Sequence, residues 1–84
     1  MKASVIIPVY NAAIYLHESL DSVFCASDDS VEIVCVDDCS EDNSHAIMCR
    51  YQLEHPNMRV FRNTKNLGVT LTLIKAISYS SNEL

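Results

Sequence analysis

The sequence contains a single glycine among its 84 residues and no tryptophan. One glycine cannot build the G-x-G-x-x-G turn with which dinucleotide-binding oxidoreductases hold a pyrophosphate, so that class is excluded. Positive charge is also scarce, because 6 Lys and Arg stand against 11 Asp and Glu and give a formal net charge of -5. A chain this acidic repels phosphate backbones and anionic lipid surfaces. We therefore expect no nucleic-acid partner.

Long apolar runs, targeting segments and metal-binding spacings are missing as well. No stretch approaches the roughly 18 apolar residues of a membrane span, and the short apolar run after Lys2 is not expected to act as a signal peptide. We therefore expect a cytoplasmic chain with reduced thiols, and membrane association only through sequence beyond Leu84. The four cysteines lack paired C-x-x-C spacing and the three histidines lack H-E-x-x-H, so no metal site is predicted within these residues.

What the sequence does contain is an alternation of β-branched runs and helical patterns. Its hydrophobic fraction of 49% is typical of a packed globular core. Strands are predicted at 3–9, 31–36 and 58–61, with Pro8 marking the end of the first. Helices are predicted after Asn11, which we expect to act as a cap, then over 44–54, and finally around Leu71, Leu73, Ile74 and Ile77. This βαβαβα order predicts a parallel sheet with ligands at the carboxyl ends of its strands.

Two loops at that edge of the predicted sheet carry the chemistry. One is Pro8-Val9-Tyr10-Asn11, and the other runs from Asp37 to Asp42. A carboxylate only accepts hydrogen bonds, which suits the imide N–H of a uracil or ribose hydroxyls, and Tyr10 can stack on a base. Taken alone, the second loop is better explained as a turn and a cap for the second helix.

The joint pattern of these segments is more specific than either loop. The segments are SVIIPVYN (4–11), LDSV (20–23), EIVCVDDCSEDNS (32–44) and NLGVT (66–70). Their order and spacing resemble the family 2 glycosyltransferases, in which E-I-I-V-V-D-D-G-S-x-D-x-S is followed by N-x-G-V-S. The resemblance spans essentially the whole chain.

The resemblance implies a Rossmann-like GT-A fold, of which residues 1–84 are the N-terminal, nucleotide-binding part, ending before the fourth strand. It further implies binding of a UDP- or GDP-type sugar donor for glycosyl transfer to an acceptor such as a cell-surface polysaccharide precursor. Pro8, Val9 and Tyr10 would line the base and Asp38 would accept from its N–H. Asp37 would also belong to this binding site, or would brace the loop instead.

The sequence departs from the family pattern at the loop and in the third helix. Cys39 replaces the usual Gly after the two aspartates, which would strain the loop if the position requires a positive φ. Leu73 and Ile74 stand where the family often has Arg-Asn, a common diphosphate contact. The remaining cations near this edge are better explained as solvated surface charges than as diphosphate contacts: Arg62, Lys65 and Lys75.

The family's metal motif has no counterpart in the chain. The resemblance implies a divalent cation, Mg²⁺ or Mn²⁺, held by a D-x-D after the next strand, which Ser80 to Leu84 would approach. No catalytic residue is therefore assigned. We expect the exposed apolar edge from Val5 to Val9 to allow self-association. The alternative function is a truncated, catalytically inactive remnant that at most binds nucleotide or packs on a partner chain.

Overall fold

A computed structural model describes residues 3–80 as three parallel strands and three helices in strict alternation. The elements are β1 (Ala3–Val9), α1 (Ala13–Ala26), β2 (Val31–Asp37), α2 (Ser44–Glu54), β3 (Met58–Arg62) and α3 (Val69–Tyr79). The predicted α/β class and element order are confirmed, and β2 and β3 each extend one residue beyond their predicted ends. Of the segment expected to approach a further strand, Ser80 to Leu84, residues 81–84 lie outside the described residues. Between residues 3 and 80 no helix has the length and apolar character needed to cross a lipid bilayer.

The sheet has the order β1-β2-β3, so β2 lies in its centre. From Glu32 to Asp37 every residue of β2 is buried, because the strand has a neighbour on both sides and helices on both faces. The register aligns Val9 with Asp37 and Asp37 with Arg62 at the carboxyl ends. The loops that leave the strands therefore start side by side at one edge of the sheet.

Proline is accommodated inside β1 rather than after it. Pro8 was expected to mark the end of the strand, but it pairs in register with Val36 and is followed by Val9 in the same strand. Among residues 3–80 no strand pairs with the other edge of β1, and an edge strand tolerates a residue without an N–H. Self-association through this edge stays a prediction.

Side chains of β2 alternate between two cores. Ile33 and Cys35 pack with Leu16 and Leu20 of α1 and Met48 of α2. Val34 and Val36 point the other way and pack with Ala76 of α3. Leu16 and Leu20 are therefore the side chains that α1 buries against the sheet. Burial raises the pKa of the Cys35 thiol to about 12, so this cysteine behaves as a small apolar side chain.

The third helix forms where it was predicted, but its apolar residues face outward. The side chains that α3 turns toward the sheet are Thr72 and Ala76, which are fully buried. Its large apolar side chains are exposed: Val69, Leu71, Leu73, Ile74 and Ile77. Small inward residues allow α3 to lie close to the sheet, and they leave an apolar outer face on the described part of the chain.

Candidate functional site

Backbone and side-chain hydrogen bonds join the loops after β1 and β2 into one unit. The Asp38 amide donates to the Val9 carbonyl over 2.7 Å, and the Asn11 amide donates to the Ser40 hydroxyl over 2.9 Å. In return the Glu41 amide donates to Asn11 Oδ1 over 2.8 Å. Asn11 has a φ of 47°, a left-handed conformation that asparagine tolerates better than most residues. Its side chain therefore ties the loops together, and its expected role as a cap of α1 is wrong.

The caps of α1 come instead from the end of the second loop and from the first residue of α2. The Ala13 amide donates to Asp42 Oδ2 over 3.1 Å, and the Ala12 amide donates to Ser44 Oγ over 3.0 Å. Asp42 Oδ1 accepts from the amide of Ser44 at the start of α2. The Ser44 hydroxyl donates to the same oxygen and is the main reason why the pKa of Asp42 is lowered. Asp42 thus serves two helix N-termini with one carboxylate.

Asp37 is fully buried and braces the second loop. Its carboxylate accepts from the Ser40 amide at 3.2 Å and from the Ser40 hydroxyl, and it lies 3.4 Å from Nε of Arg62. Arg62 also donates to the Ser40 carbonyl over 3.2 Å. Arg62 was expected to be a solvated surface charge, but it is engaged with a buried carboxylate. Asp37 therefore braces the loop in this structure, which is the second of the two roles expected for it.

Asp38 joins the second loop to the start of α3. Its Oδ1 accepts from the Leu67 amide at 2.7 Å and from Asn63 Nδ2 at 2.9 Å, and its Oδ2 accepts from the Gly68 amide at 2.9 Å. Burial raises the pKa of Asp38, but hydrogen bonds from Leu67, Asn63, Gly68 and Thr72 together outweigh it and leave the pKa below its usual value. Asp38 is therefore an anion at neutral pH although only 4% of it is exposed.

Asn63 is a member of this network that the sequence analysis did not single out. It is buried, its amide donates to the Asp37 carbonyl over 2.8 Å, and its Nδ2 also donates to Thr72 Oγ1 over 3.1 Å. One sequence signal could have identified it. Asn63 directly follows β3, as Tyr10 follows β1 and Asp38 follows β2, so all three occupy the same edge.

A cavity of about 270 Å³ opens between the end of β1 and the start of α3. Its walls are Pro8, Val9, Tyr10, Asp38, Asn66, Gly68, Val69 and Thr72. Four of the five predicted binding residues are brought together here, and Asp37 does not line the cavity. Tyr10 is half exposed, so one part of its ring remains available to a ligand. The cavity thus combines apolar walls, an aromatic ring and a buried carboxylate, which suits a flat ligand with an N–H donor.

A divalent cation does not fit the residues at this edge. In the described range, 3–80, no group of three or more His, Cys, Asp or Glu side chains could hold a metal ion. The two carboxylates closest to the cavity are already engaged, Asp37 with Arg62 and Asp38 with backbone amides. Asp37 and Asp38 are therefore not assigned as ligands of a metal ion.

The backbone at Cys39 adopts a positive φ, the conformation in which a cysteine in place of the family's usual glycine is strained. Its φ is 61°, in the left-handed region that costs an L-residue roughly 1 to 2 kcal/mol. We expect Cys39→Gly to stabilise the chain by about 0.5 to 1 kcal/mol, since part of that gain is offset by the greater freedom of glycine in the unfolded chain. Urea denaturation measures the change. Cys39→Ala removes the thiol but keeps the Cβ atom, so a gain of equal size in this control would contradict the explanation.

Comparison with protein families identifies relatives along the whole described chain. Residues 4–84 match the family described as Glycosyl transferase family 2. A poly(ribitol-phosphate) beta-glucosyltransferase of Bacillus spizizenii is 40% identical over 70 residues, which are 81% of this chain and 11% of that protein. The minor teichoic acid biosynthesis protein GgaB of Bacillus subtilis is 30% identical over 79 residues, covering 92% of this chain and 9% of its own length.

Solved structures show the same architecture. Residues 1–349 of S. aureus TarS in complex with UDP-GlcNAc superpose with a TM-score of 0.89 at 32% identity, over 99% of this chain and 24% of theirs. The mannosyltransferase PcManGT from Pyrobaculum calidifontis, in complex with GDP-Man and Mn²⁺, gives a TM-score of 0.85 at 27% identity, over 95% of this chain and 24% of its own. The chain thus spans about a tenth of these curated relatives and about a quarter of the solved chains.

Proposed function

The chain belongs to glycosyl transferase family 2 and has the GT-A fold, and on that premise we propose that it supplies the donor-nucleotide site of a glycosyltransferase. The donor would be a nucleoside diphosphate sugar, and the acceptor a precursor of a cell-surface polysaccharide. The observation that carries the proposal is the cavity at the carboxyl end of β1, where Pro8, Val9, Tyr10 and Asp38 converge.

Each of these residues has a distinct task in the proposed site. Pro8 and Val9 form an apolar wall, against which the apolar faces of a base can pack when the base leaves water. Tyr10 provides the aromatic face for stacking, and Asp38 provides an ionised acceptor for a base N–H. Asp37 contributes indirectly, because it holds the loop that presents Asp38.

The relatives support this donor class. TarS has been solved with UDP-GlcNAc and with UDP, and PcManGT with GDP-Man and Mn²⁺. For the whole protein the proposal therefore includes a divalent cation, Mg²⁺ or Mn²⁺, which supplies charge neutralisation of the diphosphate leaving group. Between residues 3 and 80 no group of three or more His, Cys, Asp or Glu side chains could hold it.

Stacking on Tyr10 gives a direct test of the site. Tyr10→Ala should weaken the binding of UDP or GDP about tenfold, since a base stacked on an aromatic side chain contributes roughly 1 to 3 kcal/mol. The nucleotides are titrated with Mg²⁺, and binding is followed by amide chemical shifts. The shifts should be concentrated at Tyr10, Asp38 and Gly68. Tyr15→Ala is the matched control, because Tyr15 is 68% exposed on α1 and does not line the cavity.

Two results would contradict the proposal. The first is the absence of shifts around the cavity with either nucleotide at millimolar concentration. The second is an equal loss of affinity in Tyr10→Ala and Tyr15→Ala, which would place the nucleotide elsewhere.

A second candidate function is a catalytically inactive chain that binds nucleotide or packs against a partner. The exposed apolar face of α3, with Leu73, Ile74 and Ile77, favours it because such a face is usually covered. Sugar transfer assayed with labelled donors separates the two candidates. Turnover supports the transferase, whereas nucleotide binding without turnover supports the inactive chain.

A further inference from the structure

We propose that Asn63 sets the base selectivity of the cavity, by leaving Asp38 able to accept a single N–H and thereby favouring uracil over guanine. The inference rests on the proposed nucleotide site. Asn63 itself does not line the cavity, so its effect is exerted through Asp38 as a positioning residue.

The acceptor capacity of the Asp38 carboxylate limits how many donors a ligand can present to it. An ionised carboxylate offers about four lone-pair positions, two on each oxygen. Both positions of Oδ1 are used, by the Leu67 amide at 2.7 Å and by Asn63 Nδ2 at 2.9 Å. One position of Oδ2 is used by the Gly68 amide at 2.9 Å. A ligand can therefore be accepted only at the remaining position of Oδ2.

Among the donors to Asp38, the Thr72 hydroxyl is the one that can turn away and break its hydrogen bond. It also hydrogen-bonds to Asp38, and it accepts from Asn63 Nδ2 over 3.1 Å. A hydroxyl hydrogen rotates freely, whereas the amides of Leu67 and Gly68 are fixed by the backbone at the start of α3. Even when the hydroxyl turns away, a single position becomes available to a base.

The two candidate bases differ in how many donors they present together. Uracil has one N–H on its pairing edge, at N3. Guanine presents the N1 hydrogen and the 2-amino group side by side, and both need acceptors when the edge leaves water. A carboxylate with one open position satisfies uracil, but it leaves one guanine donor without a partner, which is costly in a water-poor cavity.

Asn63 is the side chain that closes the second position. Its orientation is fixed, because it is buried, its own amide donates to the Asp37 carbonyl over 2.8 Å, and Nδ2 bridges Asp38 and Thr72. Removing the carboxamide reopens one position on Oδ1, between Asp38 and Thr72, which both line the cavity, so that both carboxylate oxygens could accept the two donors of guanine.

The test compares dissociation constants of UDP and GDP for the whole chain by chemical-shift titration. For the native chain we expect UDP to bind at least about tenfold more tightly than GDP, the usual penalty for one unpaired donor. In Asn63→Ala the UDP-to-GDP preference should fall to about threefold or less. Asn57→Ala is the matched control, because Asn57 is similarly buried but lies at the amino ends of the strands, far from the cavity. Its side chain donates to the carbonyl of Val31, the first residue of β2, over 2.7 Å. It should retain the native preference.

A ligand-side comparison keeps the proposal testable if Asn63→Ala does not fold. Inosine diphosphate has the purine size and the N1 hydrogen but lacks the 2-amino group, so it should bind the native chain more tightly than GDP. If it binds no better, the size of the purine rather than its donor count excludes guanine, and the proposal is overturned.

The remaining outcomes separate this inference from the function on which it rests. If UDP and GDP bind the native chain equally well, or if Asn63→Ala keeps the native preference, the role of Asn63 is refuted and the nucleotide site stands. If neither nucleotide binds, the proposed function itself fails.

Discussion

Asp38→Asn should destabilise the chain by about 3 kcal/mol, since each buried donor left without an acceptor costs roughly 1 to 3 kcal/mol. Asparagine has the shape of aspartate, but its amide nitrogen would face a backbone N–H of Leu67 or Gly68, each now held by a carboxylate oxygen. A domain of this size is stable by only about 4 to 12 kcal/mol. Urea denaturation measures the loss of stability. The affinity for the proposed nucleotide ligand of the cavity between β1 and α3 should fall as well.

Acid dependence distinguishes loss of the anion from a general packing defect. The pKa of Asp38 in the folded chain lies below its usual value of about 3.9. Its contribution to stability is therefore complete above that value and is lost as the pH falls through the lower, folded-state pKa. The difference in the free energy of unfolding between the native chain and Asp38→Asn should therefore become smaller as the pH is lowered.

The matched control for this substitution is Asp29→Asn, because Asp29 is exposed in the turn before β2. It should change the free energy of unfolding by less than about 0.5 kcal/mol. Equal losses in the two variants, or a difference that does not change with pH, would show that the Asp38 carboxylate does not hold the start of α3.

Leu20→Ala should cost about 3 kcal/mol, within the range of 2 to 5 kcal/mol seen when a buried leucine is truncated. Leu20 of α1 is fully buried and packs with Ile33, Cys35 and Met48, so its loss leaves a cavity between helix and sheet. Thermal denaturation measures the effect. Because α1 also positions the loop that begins with Tyr10, nucleotide affinity should fall as well.

Leu53→Ala provides the comparison for this core prediction. Leu53 lies on α2 and is 87% exposed, so its truncation should change stability by less than about 0.5 kcal/mol. A similar loss in both variants would mean that α1 does not pack on the sheet as described.

Local sequence patterns predicted the elements because the underlying forces act over few residues. The β-branched run from Val31 to Val36 marks a strand buried on both faces, and β2 is that strand. The helix predicted after Asn11 is α1, and its buried residues Leu16 and Leu20 are spaced four apart, as on one face of a helix. The loops after β1 and β2 were expected side by side, because the carboxyl ends of parallel strands lie at the same end of the sheet.

The rest of the site depends on contacts between residues far apart in sequence. Asp38 was assigned to a base, yet its carboxylate is largely engaged by residues 63–68, about 30 positions later, which no local pattern indicates. The inward face of α3 was equally hidden, because Thr72 and Ala76 face the sheet while Leu73 and Ile74 do not. In that helix apolar periodicity gives the element but not its orientation.

The capping of α1 by Asp42 and Ser44 has a consequence for the order of folding. The amides of Ala12 and Ala13 donate to Ser44 and Asp42, about 30 residues later, and these acceptors are in place only after β1 and β2 have paired. Bringing together residues about 30 positions apart costs chain entropy before the hydrogen bonds can form. We therefore expect the first turn of α1 to form late in folding. In pulse-labelling hydrogen exchange these two amides should acquire protection together with the strands, and later than the middle of the helix to which they belong.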